Sequence, residues 1–233
     1  MGTTLRWLFI DFDNTMMGTE ELIVPSIVER FNELYGAQCK EPLTFESFKQ
    51  NFHGMARETL CQALSKHFNV DVDYPLLYQD REWRMMQLLQ RSGVEMADGI
   101  IETLQALSEA QVQLAFVSNN PIQRALCSMR FATNKRGDEL ARLFGTRYFE
   151  AGDKQKPSPD VYLRAMAQVG ADAPHSMAVE DSTSGVKAAV AAGLKTLGFL
   201  GFAKDAADAA ALEDKLLGAG AYKCIKSWPE FTI

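Results

Sequence analysis

Short runs of apolar residues, each ending in polar residues, recur along the chain and predict buried parallel strands. Four runs are clear and a fifth, the last, is weaker: residues 7–10, 114–117, 177–179, 196–200 and 222–225. Between the runs, apolar residues fall at helical spacing, as at Ile100, Leu104 and Leu107. Because strands that alternate with helices form parallel βα units, the pattern predicts an α/β fold with a doubly wound, Rossmann-like parallel sheet.

The stretch from residue 19 to residue 92 has helical periodicity and no convincing strand. Three apolar stripes at helical spacing occupy it: Ile23, Ile27, Phe31 and Leu34, then Leu60, Leu64 and Phe68, then Leu77, Trp83, Met86 and Leu89. Pro75 lies near the first turn of the third predicted helix. A segment of this length is too long for a loop. The sequence therefore predicts a core domain of residues 1–18 and 93–233 and an inserted α-helical cap domain of residues 19–92.

Composition and charge narrow the possible partners and location. Among 233 residues, 24 basic against 30 acidic side chains give a net charge of −6, which argues against nucleic acid as the main partner. The first apolar run is too short to span a membrane, and no cleavable signal pattern follows it. Four cysteines without C-x-x-C spacing predict reduced, mostly buried thiols. These features predict a cytoplasmic protein without a membrane partner; monomer and dimer stay equally open.

Polar side chains follow three of the predicted strands at the point where each strand ends. They are Asp11 and Asp13 after the first strand, Ser118 after the second, and Glu180 and Asp181 after the third. Ligands of open parallel sheets bind beyond the carboxyl ends of the strands, so these groups should meet, with Lys156 from an intervening loop. Crowded carboxylates need a cation among them to stay ionised, and oxygen ligands beside a phosphate favour Mg²⁺.

Each of these elements alone also has a simpler structural interpretation. An Asp-x-Asp pair arises often by chance, and Lys156 before Pro157 could be a solvated loop lysine. Ser118 and the Glu180-Asp181-Ser182 segment could simply cap the helices that follow them, with no catalytic role. The occurrence of all four elements in order, three of them at strand ends, favours a site that carries chemistry.

The four elements together resemble the motifs of the haloacid dehalogenase superfamily of phosphohydrolases. Residues 9–15 (Phe-Ile-Asp-Phe-Asp-Asn-Thr) are similar to its first motif, and Ser118 to its second. Lys156-Pro157 is similar to the third motif, and Glu180-Asp181-Ser182-x-x-Gly185 to the fourth. Asn14 stands where the family usually has Gly; Asn tolerates a left-handed backbone, so the turn should survive. The insertion after the first motif resembles the helical cap of the branch with sugar phosphatases, phosphoglycolate phosphatases and β-phosphoglucomutases.

The resemblance implies a role for each motif residue in a Mg²⁺-dependent phosphatase acting on a small phosphorylated metabolite, in first place a phosphosugar or phosphosugar acid. Asp11 would attack phosphorus and form an aspartyl-phosphate, and Asp13 would protonate the leaving oxygen and then activate water. Ser118, Lys156 and the main-chain N–H of Asn119 would bind the phosphoryl oxygens. Mg²⁺ would be held by the Asp11 carboxylate, the Asp13 main-chain carbonyl, Asp181, and Glu180 directly or through water.

Other members of the same family and one unrelated class compete with this interpretation. Asp13 and the Glu180-Asp181 pair argue against a metal-free dehalogenase. A mutase of the β-phosphoglucomutase type shares the core motifs, but it carries a His or Lys shortly after the first motif, where residues 20–25 have neither. A non-enzymatic phospho-acceptor of the receiver type, or a binding protein, is the third alternative. In receivers, however, the accepting aspartate ends a later strand, and no cap is needed.

The predicted cap contains a second, weaker resemblance. The segment His53-Gly54-x-x-Arg57 is similar to the substrate-contacting cap loop of the sugar-phosphate branch. Arg57 could pair with a carboxylate or a second phosphate of the substrate. A solvated Arg57 on a helix and a His53 in a turn are the equally weighted structural alternative.

Overall fold

Six parallel strands form one sheet in the computed structural model, which describes residues 4–52 and 57–232. The strands are β1 (Trp7–Ile10), β2 (Gln113–Ser118), β3 (Tyr148–Glu150), β4 (Ser176–Glu180), β5 (Lys195–Phe199) and β6 (Lys223–Ile225). Their spatial order is β3-β2-β1-β4-β5-β6, and every neighbouring pair is parallel. The chain winds from β1 to one edge and returns to build the other half, so the order reverses at β1, which is where such sheets bind ligands.

Helices connect the strands and also fill the insertion between β1 and β2. The insertion contains α1 (Glu20–Tyr35), α2 (Phe45–Asn51), α3 (Arg57–Phe68), α4 (Tyr74–Tyr78) and α5 (Arg81–Ser92). The later helices are α6 (Ile100–Glu109), α7 (Ile122–Arg130), α8 (Gly137–Phe144), α9 (Asp160–Val169), α10 (Thr183–Ala191) and α11 (Ala206–Ala219). The chain forms two compact units, one of Met1–Thr19 with Gly93–Ile233 and one of Glu20–Ser92.

The α/β prediction is confirmed, with one strand missed. All four clear apolar runs are strands, and the weak fifth run forms β6. The sequence did not indicate β3, which is three residues long at the edge of the sheet and has only Phe149 buried. A strand this short on an edge buries too little apolar surface to leave a pattern in the sequence.

Both faces of the sheet are covered by helices of the same unit. On one face Phe9 and Val117 pack with Tyr162 and Ala165 of α9 and with Ala188 of α10. The opposite face contains an aromatic cluster in which the Phe116 ring centroid lies 5.3 Å from that of Phe12 and 6.5 Å from that of Phe144 on α8. Each large side chain buried in this way contributes about 1.5–3 kcal/mol to the free energy of unfolding.

The helical unit has its own core and, among its described residues, no strand. Phe31 of α1 and Leu64 of α3 lie fully buried at its centre, together with Leu60 and Leu77. The predicted third helix is wrong in one respect, because its stripe joins two helices. Asp80 has a positive φ of 56° between α4 and α5 and interrupts the helical path.

The buried face of α5 differs from the stripe that the sequence suggested. Met85, Leu88 and Leu89 are buried, whereas Trp83 is 58% exposed. The predicted stripe assumed a continuous helix from Leu77, and the break between α4 and α5 changes which face of α5 is buried.

The cysteines and the helices bear on two further expectations. All four cysteines are free, but only Cys61 is buried and the other three are half-buried, so the expectation of mostly buried thiols is wrong for those three. Within residues 4–52 and 57–232, no helix is both long enough and apolar enough to cross a membrane.

Candidate active site

A tight turn directly after β1 places the two aspartates of the first motif. The Asp11 N–H donates to the Val179 carbonyl of β4 at 3.1 Å, which continues the pairing of the two central strands. The N–H groups of Met16 and Met17 both donate to the Phe12 carbonyl, at 2.9 and 3.2 Å. Asn14 has a φ of 54°, so the prediction of a left-handed asparagine in this turn is confirmed.

Lys156 is fixed by three hydrogen bonds inside the protein. Its Nζ donates to Asp11 Oδ1 at 2.6 Å, to Glu180 Oε1 at 2.7 Å and to the Val117 carbonyl at 3.0 Å. All three acceptors lie at the carboxyl ends of β1, β4 and β2, and the three side chains are buried. These bonds use every N–H of the ammonium group. The lysine therefore links the Asp11 and Glu180 carboxylates at the centre of the sheet edge.

Burial and mutual repulsion change the proton affinities in this cluster. Burial foremost, and then the charge of Glu180, raise the pKa of Asp11 well above its usual range, although Lys156 acts in the opposite direction. Burial alone would lower the pKa of Lys156, but attraction to Asp11 and Glu180 outweighs it and raises that pKa. The lysine is therefore protonated, and burial is the main reason why Asp11 holds its proton more tightly than a solvated aspartate does.

Three carboxylates of this cluster have the arrangement of a cation site. Asp11, Glu180 and Asp181 each offer one oxygen, and these oxygens lie within 4.8 Å of one another. With Lys156, the three carboxylates carry a formal net charge of −2 when all are ionised. Hard oxygen donors with this excess of negative charge fit a divalent cation of the Mg²⁺ type.

The Asp13 carboxylate is held separately from these three groups. It accepts hydrogen bonds from Thr19 Oγ1 at 2.5 Å, Asn120 Nδ2 at 2.7 Å and Ser118 Oγ at 3.5 Å. The family resemblance implies a metal contact from the main-chain carbonyl of Asp13 and acid–base chemistry for its carboxylate, and both roles stay predictions. The side chain is half-buried, so a leaving group or a water molecule can approach it.

The Ser118–Asn120 segment at the end of β2 joins the other motifs through its side chains. Asn119 Oδ1 accepts from the Lys156 N–H at 2.8 Å, and Asn119 Nδ2 donates to the Lys156 carbonyl at 3.4 Å. Asn119, next to Ser118 of the second motif, therefore holds the main chain of Lys156 in the third motif. The sequence did not indicate this role of the Asn119 side chain. The Asn120 N–H donates to Ser118 Oγ at 3.0 Å and orients that hydroxyl.

The start of α10 packs closely against the Glu180 carboxylate. Ser182 caps this helix, because its Oγ accepts from the Gly185 N–H at 3.1 Å. A Cβ atom at Gly185 would lie only 1.8 Å from Glu180 Oε2. The glycine of the fourth motif is therefore required by the close approach of the helix to the carboxylate.

Sequence reasoning missed several residues that contact the predicted site residues. The Tyr162 hydroxyl donates to Glu180 Oε1 at 2.6 Å, and Thr15 Oγ1 donates to Asp11 Oδ2 at 3.3 Å. Thr19 and Asn120 surround Asp13, as described above. Tyr162 falls within an apolar helical pattern and looks like a core residue, so only the tertiary structure reveals its contact.

The two cap residues stay predictions. His53 lies outside the described residues, and Arg57 is the first residue of α3.

Comparison with known proteins agrees with the motifs. A family model described as haloacid dehalogenase-like hydrolase matches residues 8–199. Protein CbbY of Rhodobacter capsulatus is 25% identical over 203 residues, covering 83% of this chain and 84% of that protein. The phosphorylated carbohydrates phosphatase of Thermotoga maritima is 25% identical over 199 residues, covering 82% of each.

A solved structure supplies an independent comparison of the fold. CbbY of Rhodobacter sphaeroides, in complex with xylulose-(1,5)bisphosphate, superposes with a TM-score of 0.70 and 19% identity, covering 97% of this chain and 96% of that one. At this identity the likeness shows a shared fold. The family model, in contrast, spans every one of the four motifs, from Asp11 to Gly185. The chain therefore belongs to the haloacid dehalogenase-like hydrolases, and it is an enzyme of the hydrolase class.

Proposed function

We propose that this enzyme is a Mg²⁺-dependent phosphatase that hydrolyses a small phosphorylated metabolite through an aspartyl-phosphate on Asp11. The observation that carries the proposal is the buried Asp11 carboxylate, held by Lys156 at 2.6 Å and grouped with Glu180 and Asp181 at the end of β1. We further propose a phosphosugar or phosphosugar acid as substrate. One relative is named a phosphorylated carbohydrates phosphatase, and a structural neighbour holds a sugar bisphosphate, which supports this substrate class.

The first step transfers the phosphoryl group to the protein. An oxygen of the Asp11 carboxylate attacks phosphorus, the ester P–O bond breaks, and Asp13 gives its proton to the departing alcohol oxygen. Lys156 and Thr15 hold the two oxygens of Asp11, so the nucleophile needs little reorganisation before attack.

The second step returns the enzyme to its starting state. Asp13 removes a proton from water, the resulting hydroxide attacks phosphorus, and the P–O bond to Asp11 breaks with release of inorganic phosphate. Thr19, Asn120 and Ser118 hold the Asp13 carboxylate between the two steps. One residue thus serves as acid and then as base, and the proton balance closes over a turnover.

The proposed metal ligands are Asp11, Asp181 and Glu180, with the main-chain carbonyl of Asp13 added by the family resemblance. When bound, Mg²⁺ offsets the charge of the phosphoryl group and of the carboxylates that face it. The three-carboxylate group and its excess negative charge support this assignment.

The proposed phosphate ligands are Ser118, Lys156 and the main-chain N–H of Asn119. All three N–H groups of the Lys156 ammonium are already used by Asp11, Glu180 and Val117. A phosphoryl oxygen must therefore replace one of these acceptors, and we propose that it replaces the neutral Val117 carbonyl, the longest of the three bonds. The lysine then keeps both carboxylates while it stabilises the transferring group.

We propose the helical unit Glu20–Ser92 as a cap that reads the rest of the substrate, with His53 and Arg57 as substrate contacts. The resemblance of this segment to the cap loop of sugar-phosphate enzymes supports the assignment. We also propose the cytoplasm as the location, because all four cysteines are free.

The test is phosphate release from a panel of small phosphomonoesters, with and without Mg²⁺. We expect Mg²⁺-dependent turnover that falls by at least about 10³-fold in Asp11→Asn, because the nucleophile is lost. Asp214→Asn, at an exposed position on α11, is the matched control and should keep wild-type turnover. Substantial activity in Asp11→Asn would contradict the proposal. A wild type that only isomerises a sugar phosphate would replace it with a mutase.

A further inference from the structure

Tyr162 contacts the proposed active site from within the core of the protein. It lies on α9 and is fully buried, and its hydroxyl donates to Glu180 Oε1 at 2.6 Å. The same carboxylate oxygen accepts from Lys156 Nζ at 2.7 Å. Lys156 Nζ also lies 5.2 Å from the centroid of the Tyr162 ring, within the range of a cation–π contact. Tyr162 thus touches both the lysine and the carboxylate that the lysine shares with Asp11.

We propose that Tyr162 is a positioning residue whose hydroxyl fixes the orientation of the Glu180 carboxylate. This orientation in turn determines the geometry of the proposed metal ligands and of the Lys156–Asp11 contact. The proposal rests on the function proposed above. It assigns to Tyr162 a role that neither the motifs nor the apolar pattern of α9 contains.

The need for a second donor follows from the torsional freedom of a glutamate. The last torsion of a Glu side chain is broad and has no strong intrinsic preference, so its hydrogen-bond partners set the orientation of the carboxylate. Glu180 is fully buried, out of contact with bulk solvent, and its hydrogen-bond donors are side chains of the protein. Lys156 and Tyr162 both donate to Oε1 of this carboxylate. The other oxygen, Oε2, has Ser182 Oγ as its donor at 3.5 Å. The tyrosine hydroxyl is therefore one of the two donors that fix Oε1 and with it the orientation of this carboxylate.

The neutrality of the tyrosine donor also matters for the proposed cation. Asp11, Glu180 and Asp181 with Lys156 have a formal net charge of −2, equal and opposite to that of a divalent cation. A second lysine or arginine in place of Tyr162 would reduce that charge and weaken binding. A phenolic hydroxyl satisfies the buried carboxylate, and the charge that attracts the cation is unchanged.

The surroundings of the ring allow the hydroxyl to be removed without other changes. The Tyr162 ring packs in the core cluster with Phe9, Ala165 and Ala178. Phenylalanine keeps this packing and the contact with Lys156, so Tyr162→Phe isolates the hydroxyl. Tyr148→Phe is the matched control, because the Tyr148 hydroxyl donates to the Ala141 carbonyl at 2.9 Å in the same unit and away from the site.

The experiment measures Mg²⁺ affinity by isothermal titration calorimetry on the full chain, together with kcat, KM and thermal stability. Loss of a partner that orients a metal ligand typically weakens metal binding or activity by about 10- to 100-fold. We expect that loss in both Mg²⁺ affinity and kcat for Tyr162→Phe, with KM near the wild-type value. Tyr148→Phe should keep wild-type Mg²⁺ affinity and kcat.

Two results would overturn the proposal: wild-type Mg²⁺ affinity and kcat in Tyr162→Phe, or an equal loss in the Tyr148→Phe control. If Tyr162→Phe does not fold, 4-aminophenylalanine at position 162 supplies the second test, because it keeps a neutral N–H donor in place of the hydroxyl. Near wild-type Mg²⁺ affinity is expected there, and a loss as large as that from a missing donor would overturn the proposal. Calorimetry needs no turnover, so the result is independent of whether the phosphatase assignment holds.

Discussion

Replacing Gly185 by alanine should inactivate the enzyme by a steric effect on Glu180. The added Cβ would lie 1.8 Å from Oε2, 2.1 Å from Cδ and 2.4 Å from Oε1 of that carboxylate, whereas real Cβ contacts shorter than 3.0 Å are essentially never found. The carboxylate must therefore move by about 1 Å or more. Movement on this scale stretches its bonds from Lys156 and Tyr162, now 2.7 and 2.6 Å, beyond good hydrogen-bond geometry.

The size of the effect follows from these contacts. A misplacement of about 1 Å among catalytic groups can cost about 10²-fold in rate, and we expect a loss of kcat of that order. Overpacking costs about 1–3 kcal/mol, and a weakened hydrogen bond to a buried charge costs about 1.5–3 kcal/mol. Alanine recovers up to about 1 kcal/mol through its higher helix propensity. The net expectation is a loss of about 1.5–6 kcal/mol in the free energy of unfolding.

The assay compares kcat, Mg²⁺ affinity and urea unfolding of Gly185→Ala with those of Gly218→Ala. Gly218 lies on α11, where an added Cβ would meet no atom within 4 Å, so the control tests alanine in a helix without a clash. It should keep wild-type activity and equal or slightly higher stability. Wild-type kcat and stability in Gly185→Ala would refute the reasoning.

Two further predictions concern the same cluster. Asn119→Ala should lower both kcat and stability, because it removes two hydrogen bonds that hold the Lys156 main chain. The control Asn32→Ala removes a similar pair of bonds from the Leu43 main chain and should lower stability alone. Enzyme kinetics and thermal unfolding of the two variants test this difference. In EDTA, the raised pKa of Asp11 means that stability falls as pH rises through that pKa, because the folded state binds the proton more tightly. Urea unfolding at a series of pH values should therefore show that the stability of Asp11→Asn depends less on pH than that of the wild type. Added Mg²⁺ should stabilise the wild type more than it stabilises Asp11→Asn. The same dependence of stability on pH in both proteins would contradict this.

The α/β core and the first-motif turn were predictable because their signals are local. An apolar run followed by a carboxylate predicts both a buried strand and the chemical group at its end, as at Ile10-Asp11 and Val179-Glu180. The left-handed backbone of Asn14 was expected because the resembled family usually has Gly there and Asn tolerates the same conformation. The missed strand β3 and the break at Asp80 show the limit, since a short edge strand and a single turn residue leave too weak a pattern in the sequence.

The contacts within the site were decided by the tertiary structure. Asp11 and Lys156 are 145 residues apart in the chain, yet their side-chain atoms lie 2.6 Å from each other because β1 and the loop before α9 converge at the same edge of the sheet. Tyr162 has the sequence signature of a core residue, and its contact with Glu180 depends on how α9 packs on the sheet. Sequence by itself determined which chemical groups reach this edge. The packing of helices on the sheet decided which of them touch, because hydrogen-bond partners depend on distances that no local pattern encodes.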